Sequence, residues 1–297
     1  MVLPTSTPSP AAPPAAPVLA AAPYADKVRA LDQRLRALPG AVVAFSGGVD
    51  STMLLHACVG SLGDRAVAVT ADSPSLPRAE LAEARALARD LGVRHVVLPT
   101  AELERDEYRR NAGDRCYHCK KELFVTVARR RAEVAPADWA VAYGAIVDDL
   151  GEHRPGQQAA REHGVLAPLL DAGFGKVDVR RYSREAGLAT ADKQSFACLS
   201  SRVPQGTAID RALLQRIERA EEVLRAHGFG RFRVRHHGDI ARLELDAAEL
   251  PRALELREAL AAGVQAAGYR FVAVDLLGYR TGSVNAPGAA ATGEVRS

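Results

Sequence analysis

The segment Ser46-Gly47-Gly48-Val49-Asp50-Ser51 constrains this chain more than any other. It follows a short apolar run, AVVAFS (41–46), and leads into a stretch with helical patterning, 51–62. A strand, a tight two-glycine turn and a helix in that order form the opening unit of an α/β sheet. The glycines let the backbone curl closely about an anion. The helix N-terminus behind them offers N–H groups and the positive end of a dipole. Ser46 and Ser51 add hydroxyl donors, and Asp50 is placed to cap the helix or to hold Mg²⁺ on a pyrophosphate. A plain turn with an Asp/Ser cap is the bland alternative, and the strand–turn–helix context argues for the anion. The spacing is neither G-x-x-x-x-G-K-[ST] nor G-x-G-x-x-G.

The rest of the chain extends the same alternation. Helical periodicity at 25–38, 77–91, 119–133 and 176–187 is interleaved with strand-like runs at 66–71, 93–100, 139–146 and 165–170. Buried apolar strands between amphipathic helices imply a mostly parallel, doubly wound sheet covered on both faces. In such a sheet ligands gather at the carboxyl ends of the strands. Asp72 closes the second strand; Tyr143 and Gly144 close the fourth, with Asp148 and Asp149 just beyond. After about residue 207 the pattern becomes helix (209–227), strand (231–237), a Gly238-Asp239 turn, strand (241–245), helix (248–263) and strand (269–276). The expected organisation is a Pro/Ala-rich disordered tail at 1–23, an α/β domain carrying the phosphate turn at 24–206, a smaller α+β domain at 207–284 for substrate binding or oligomerisation, and a flexible tail at 285–297.

Composition removes several function classes. The chain has 297 residues with a net charge of +3, too small for a nucleic-acid footprint. No run of 18 apolar residues marks a membrane span, and the N-terminus does not read as a secretory signal. The cytoplasm is the expected compartment. Lys occupies only positions 27, 120, 121, 176 and 193; every other basic residue is Arg.

Four cysteines are too few for a disulfide scaffold in a chain this long. Cys58 falls on an apolar helix face and reads as core. Cys116 and Cys119 form a C-x-x-C in RCYHCKKELF, and Cys198 lies in SFACLSSRVP. The three, with His118, have the ligand types for zinc; the three thiolates alone suit a [4Fe–4S] cluster with one open iron; C-x-x-C alone also allows a redox pair. A choice among these requires Cys198 to approach the pair in space.

The SGGVDS loop resembles that of the PP-loop ATP pyrophosphatases, and Pro168-Leu169-Leu170 … Lys176-Val177-Asp178-Val179-Arg180 is similar to a second stretch of that superfamily. Together with RCYHCKKELF, EHRPGQQAARE (152–162), FACLSSR and GYRTGSVN (278–285), over residues 25–285, the chain resembles the LarE family of sulfur transferases in nickel-pincer cofactor biosynthesis. That resemblance implies ATP and Mg²⁺, bound by Ser46, Gly47, Gly48, Val49, Asp50, Ser51, Asp72, Gly144 and Lys176. It implies adenylation of a carboxylate of a pyridinium dicarboxylate mononucleotide, and attack by the thiolate at the Cys198 position to give a thiocarboxylate. In a single-cysteine branch the cysteine gives up its own sulfur; a three-cysteine branch uses a cluster-bound sulfide. This chain has Cys116, Cys119 and Cys198 and so departs from the single-cysteine pattern; the sulfur is expected either from Cys198 itself or from a [4Fe–4S] cluster on the three cysteines. A homo-oligomer is also implied.

Arg202 follows Cys198 closely enough to lower its pKa or to bind phosphate. In RFRVRHH, Arg231, Arg233, Arg235 and His237 share one strand face, and three arginines there repel one another without an anion. Arg233 and Arg235 are therefore expected at the substrate phosphate. Glu221, Glu222 and Glu244 are acid/base or Mg²⁺ candidates that spacing does not separate. Two other functions fit parts of the pattern: a PP-loop tRNA thiolase, disfavoured by the near-neutral charge, and a non-catalytic nucleotide-binding protein, disfavoured by the presence of Asp50, Lys176 and Cys198 together.

Overall fold

The computed structural model describes residues 21–151, 155–194 and 197–280. Of the expected tails, 1–20 and 285–297 lie outside these residues, as do 152–154 and 281–285 of the family stretches.

The chain folds into two compact units, neither continuous in sequence. Among the described residues, the first takes in 21–70, 83–97, 124–151 and 155–194; the second takes in 71–82, 98–123 and 197–280. The chain passes between them within single elements.

The strands are β1 (Ala41–Ala44), β2 (Ala66–Asp72), β3 (Arg94–Pro99), β4 (Ala140–Tyr143), β5 (Phe232–His237), β6 (Ile240–Leu245) and β7 (Phe271–Val274). The helices are α1 (Tyr24–Arg36), α2 (Val49–Leu62), α3 (Arg78–Asp90), α4 (Asp106–Arg109), α5 (Arg115–Arg129), α6 (Arg131–Val134), α7 (Pro155–Glu162), α8 (Pro168–Asp171), α9 (Lys176–Glu185), α10 (Arg211–Ala226), α11 (Leu250–Glu255) and α12 (Arg257–Ala266).

The α/β class is as expected: the central sheet is all parallel, in the order β3-β2-β1-β4. The register aligns Ala44 with Val69 on one side and with Tyr143 on the other. That alignment brings the residues after β1 and β4 out of the sheet at the same level. Val42, Val43, Ala68 and Val69 are buried because helices cover both faces. The core of this unit joins α1 (Leu31, Leu35), the sheet, and α2 (Met53, Leu54, Cys58).

The second unit holds a three-stranded sheet, β5-β6-β7, with β5 and β6 antiparallel about Gly238 and β6 and β7 parallel. Gly238 has φ +63°, the left-handed conformation a tight hairpin turn requires. Leu214, Ile217 and Leu224 of α10 pack with Val234, Leu243 and Leu245.

Three expected elements differ. The helix expected at 119–133 is the two helices α5 and α6, parted at Arg130. Residues 165–170 do not form a strand. Leu166 makes one isolated parallel bridge to Ala142, and Pro168 starts α8 instead. Proline has no N–H to donate to a ladder, and its fixed φ suits the first turn of a helix. The expected helix 248–263 is two helices, α11 and α12, meeting at Leu256.

Candidate functional site

In the first unit, the chain leaves β1 into Ser46–Gly48 and immediately starts α2. Gly47 adopts φ +71°, and a Cβ there would stand 3.2 Å from the Ala84 Cβ of α3. The turn thus needs glycine both for its left-handed backbone and for its seat on α3. The hydroxyls close the loop upon itself. Ser51 Oγ donates to the Gly48 carbonyl at 3.0 Å, Ser46 Oγ lies 3.1 Å from Ser51 Oγ, and the Gly48 N–H donates to Ser46 Oγ at 3.3 Å. Gly48 is the N-cap of α2 and supplies no side-chain cap. The first-turn amides of a 14-residue helix are therefore met by no capping side chain, the arrangement that receives phosphate.

Three expected residues converge on this turn. Lys176 Nζ donates to both Asp50 carboxylate oxygens at 2.9 Å. Lys176 is the first residue of α9, and Asp148, expected just beyond β4, accepts its backbone N–H at 2.9 Å. Gly144 lies so close to α2 that a Cβ would be 2.9 Å from both the Asp50 carbonyl carbon and the Ser51 nitrogen. Lys193, which sequence reasoning passed over, reaches the same turn: its Nζ donates to the Gly47 carbonyl at 3.2 Å and stands 2.9 Å from Glu83 Oε2.

The second unit contains Asp72, Cys116, Cys119, Cys198, Arg202, Arg233 and Arg235. Asp72 ends β2, and its carboxylate is held by Arg78.

Cys116 and Cys119 lie within the first five residues of α5, three residues apart and so on one side of the helix. The Cys198 segment is tied to the chain around them. Leu199 N–H donates to the Ser75 carbonyl at 2.8 Å, Tyr108 Oη meets Ser200 Oγ at 2.7 Å, and Arg115 donates to the Ser200 carbonyl at 2.8 Å. Asn111, in the left-handed conformation, donates to the Pro204 carbonyl at 2.9 Å. The three sulfurs sense one another as a result. Burial pushes the Cys119 thiol up, and the negative charges of Glu102, Cys198 and Cys116 push it further. Burial opposes the Arg115 charge, yet the adjoining Cys198 and Cys116 sulfurs raise its pKa. Arg115 is thus the cation facing these sulfurs, a role its place in an arginine-rich sequence gave no way to single out.

His118 is turned to Asp114 Oδ2 at 3.1 Å, and among the described residues no three His, Cys, Asp or Glu side chains close on a single point for a metal ion. The four-ligand zinc set is therefore not assembled. Three thiols of one unit beside a cation remain a donor set of the kind that holds an iron–sulfur cluster. Cys58 is fully buried in the first core, as expected.

Arg202 does not point at the Cys198 sulfur. It is 2% exposed and forms a two-pronged pair with Glu221, Nε to Oε1 at 2.8 Å and Nη2 to Oε2 at 3.0 Å. Its Nη1 donates to the Cys198 carbonyl at 2.9 Å, so it fixes the main chain that carries the cysteine. The strand arginines are also neutralised more than their spacing implied. Arg235 is buried against Glu244 at 2.8 Å, and Arg231 is held by Asp246. Glu244 lies on β6, where alternation turns it and Arg242 to the same face as Arg235. Of the three glutamates, Glu221 and Glu244 are buried ion-pair partners and Glu222 is exposed. Arg233, Arg202, Arg225 and Glu221 line a cavity of about 210 Å³ walled by Phe229 and Phe232. Burial, followed by repulsion from Arg202, lowers the Arg233 pKa.

No helix among the described residues is long and apolar enough to cross a membrane. No protein-family model matches the chain. An uncharacterised protein of Synechocystis sp. is 39% identical over 267 residues, covering 87% of this chain and 97% of its own. The pyridinium-3,5-bisthiocarboxylic acid mononucleotide synthase of Lactiplantibacillus plantarum is 36% identical over 262 residues, 88% of this chain and 94% of its own. An uncharacterised protein of Methanocaldococcus jannaschii is 28% identical over 240 residues, 81% and 90% respectively. With 36% identity to the Lactiplantibacillus synthase over 88% of this chain and 94% of that one, the protein belongs to the LarE family.

Proposed function

We propose that the protein is an ATP-dependent sulfur transferase that converts a carboxylate of a pyridinium dicarboxylate mononucleotide into a thiocarboxylate. The observation that carries this reading is the uncapped N-terminus of α2 behind Ser46–Gly48, with Asp50 and Lys176 paired beside it. A carboxylate is a poor electrophile. Its oxygen attacks the α-phosphorus of ATP and pyrophosphate leaves, so the acyl carbon acquires AMP as leaving group. The α2 amides and Lys176 bind the departing phosphates, and Asp50 supplies a hard oxygen ligand for the Mg²⁺ that neutralises them.

Sulfur then replaces AMP at the acyl carbon. With Cys198 as donor, its thiolate forms the thioester and expels AMP. Loss of the Cα proton with cleavage of the Cβ–Sγ bond leaves the thiocarboxylate and a dehydroalanine. Alternatively Cys116, Cys119 and Cys198 hold a [4Fe–4S] cluster, which when bound supplies an open iron able to carry a transferable sulfide. Arg115 balances the charge of the sulfurs, and Arg202 with Glu221 holds the Cys198 backbone. The cavity where Arg202, Arg225 and Arg233 outnumber Glu80 and Glu221 suits the phosphate of the mononucleotide.

The test is incubation of anaerobically purified protein with ATP, Mg²⁺ and pyridinium-3,5-dicarboxylic acid mononucleotide. The expected result is pyrophosphate release matched by a mass increase in the acceptor, the signature of oxygen replaced by sulfur. ATP turnover without that product overturns the reading.

A further inference from the structure

We propose that Lys193 is a second lysine ligand for the pyrophosphate portion of the nucleotide, exchanging its hold on Glu83 for phosphate oxygens. The inference rests on the ATP-dependent reading above and assigns a residue that reading does not use.

Three observations converge on it. Lys193 Nζ is already at the phosphate turn, 3.2 Å from the Gly47 carbonyl, and its side chain is only 15% exposed. Its carboxylate partner Glu83 is 46% exposed, so water can solvate Glu83 once the lysine moves. An ion pair with one exposed member is weak and exchanges readily. Composition adds the third observation. Five lysines stand among 39 basic residues, and two of the five, Lys176 and Lys193, meet at this one turn. A compact ammonium donates in any direction to the oxygens of a polyphosphate, which a planar guanidinium does not.

The geometry also supplies a rationale for the pair of lysines. Lys176 rests on Asp50 and Lys193 on Glu83, so each cation at the turn is matched by a carboxylate. A triphosphate brings several negative charges to the α2 N-terminus. Both lysines then gain more from phosphate than from their carboxylates, and Asp50 is released towards the accompanying cation. Glu83 adjoins Ala84, on which Gly47 sits, so α3 supplies both the seat of the turn and the counter-charge of the lysine.

The test is calorimetric titration of the wild-type full chain, Lys193→Met and Glu83→Gln with ATP, inorganic pyrophosphate and AMP, each with Mg²⁺ and without acceptor. Lys193→Met is expected to weaken ATP and pyrophosphate about tenfold or more, the worth of one charge-assisted bond, and to leave AMP within about twofold. Glu83→Gln removes the competing carboxylate and is expected to tighten ATP. Equal loss of ATP and AMP in Lys193→Met, or no loss of either, overturns the proposal. So does Glu83→Gln that weakens ATP as Lys193→Met does, since a merely structural ion pair predicts that both variants fail together. A wild-type protein that binds ATP but makes no thiocarboxylate overturns the functional reading and leaves Lys193 standing; a wild-type protein that binds no ATP overturns both.

Discussion

Lys176 Nζ stands 2.9 Å from each oxygen of the Asp50 carboxylate, linking the first turn of α2 to the first residue of α9. Both side chains are 29% exposed, so the pair is reachable and contributes little to stability. Its importance lies in chemistry: one member prefers phosphate and the other prefers a divalent cation.

Asp50→Asn and Lys176→Met are therefore expected to fold with wild-type melting temperatures within a few degrees. Each should lose ATP-dependent pyrophosphate release by about a hundredfold or more, the usual cost of removing one preorganised charge from a reacting centre. Release at the wild-type rate by either variant refutes the assignment of the turn.

Cys198→Ala should separate the two halves of the reaction. The cysteine lies in the second unit and the Ser46–Gly48 turn in the first. Pyrophosphate release is expected to persist within about threefold, because no phosphate group is lost, while thiocarboxylate falls below detection. Mass spectrometry of the acceptor reads the outcome, and thiocarboxylate made at wild-type yield removes Cys198 from the mechanism.

Much of this architecture was legible because local pattern and long-range pairing agreed. The apolar runs at 41–46 and 66–71 could only be buried strands, and the glycines at 47 and 48 marked where β1 gives way to α2. That the Cys198 segment is tied to the chain around Cys116 and Cys119 was not legible, since it depends on hydrogen bonds such as Tyr108 to Ser200 between segments about 90 residues apart. The partners of Arg202 were not legible for a related reason. Spacing placed it near Cys198, and only the fold brings Glu221 from α10 to capture its guanidinium. The arginine stripe on β5 was read on one strand, whereas its counter-charges Glu244 and Asp246 arrive with and just after β6.

Glu221→Ala should destabilise the protein by about 3–5 kcal/mol, because it leaves the Arg202 charge buried without its partner. The Val234 N–H also loses the Glu221 oxygen it donates to at 3.1 Å. The double variant Arg202→Met with Glu221→Met should recover much of that loss in thermal unfolding. It should still transfer sulfur poorly, since the Cys198 carbonyl has lost its anchor. Full activity in the double variant shows that the clamp is dispensable.

Gly144→Ala tests close approach without conformational strain. The added methyl carbon would meet α2 backbone atoms at 2.9 Å, and backbone cannot swing aside as a side chain does. A loss of about 1–3 kcal/mol is expected, as for other overpacked sites, together with weakened ATP binding. Gly60→Ala is the control, because nothing lies within 4 Å of its Cβ position in α2. There the alanine should stabilise by about 0.5–1 kcal/mol through helix propensity. Two glycine substitutions moving unfolding in opposite directions is the expected outcome, and a Gly144→Ala protein as stable as wild type argues against the tight seat.

Three histidines are expected to cost stability in acid. Burial lowers the pKa of His56, His95 and His236, with Arg85 adding to the effect at His95 and Arg216 at His236. The unfolded chain takes up these protons near pH ~6.5, whereas the folded protein resists until lower pH. The unfolded state therefore binds more protons in that interval, and stability rises with pH. The contribution is complete above about pH 7 and is lost as pH falls through about 6 towards the folded values. Melting temperatures measured from about pH 5 to 8 should fall on the acid side of 6.5. His95→Gln should flatten that slope, because its imidazole, held against Thr70 Oγ1 at 2.8 Å, no longer has to stay neutral to remain in place. A melting temperature independent of pH across this range, or one that climbs on acidification, would contradict the burial of these rings as neutral groups.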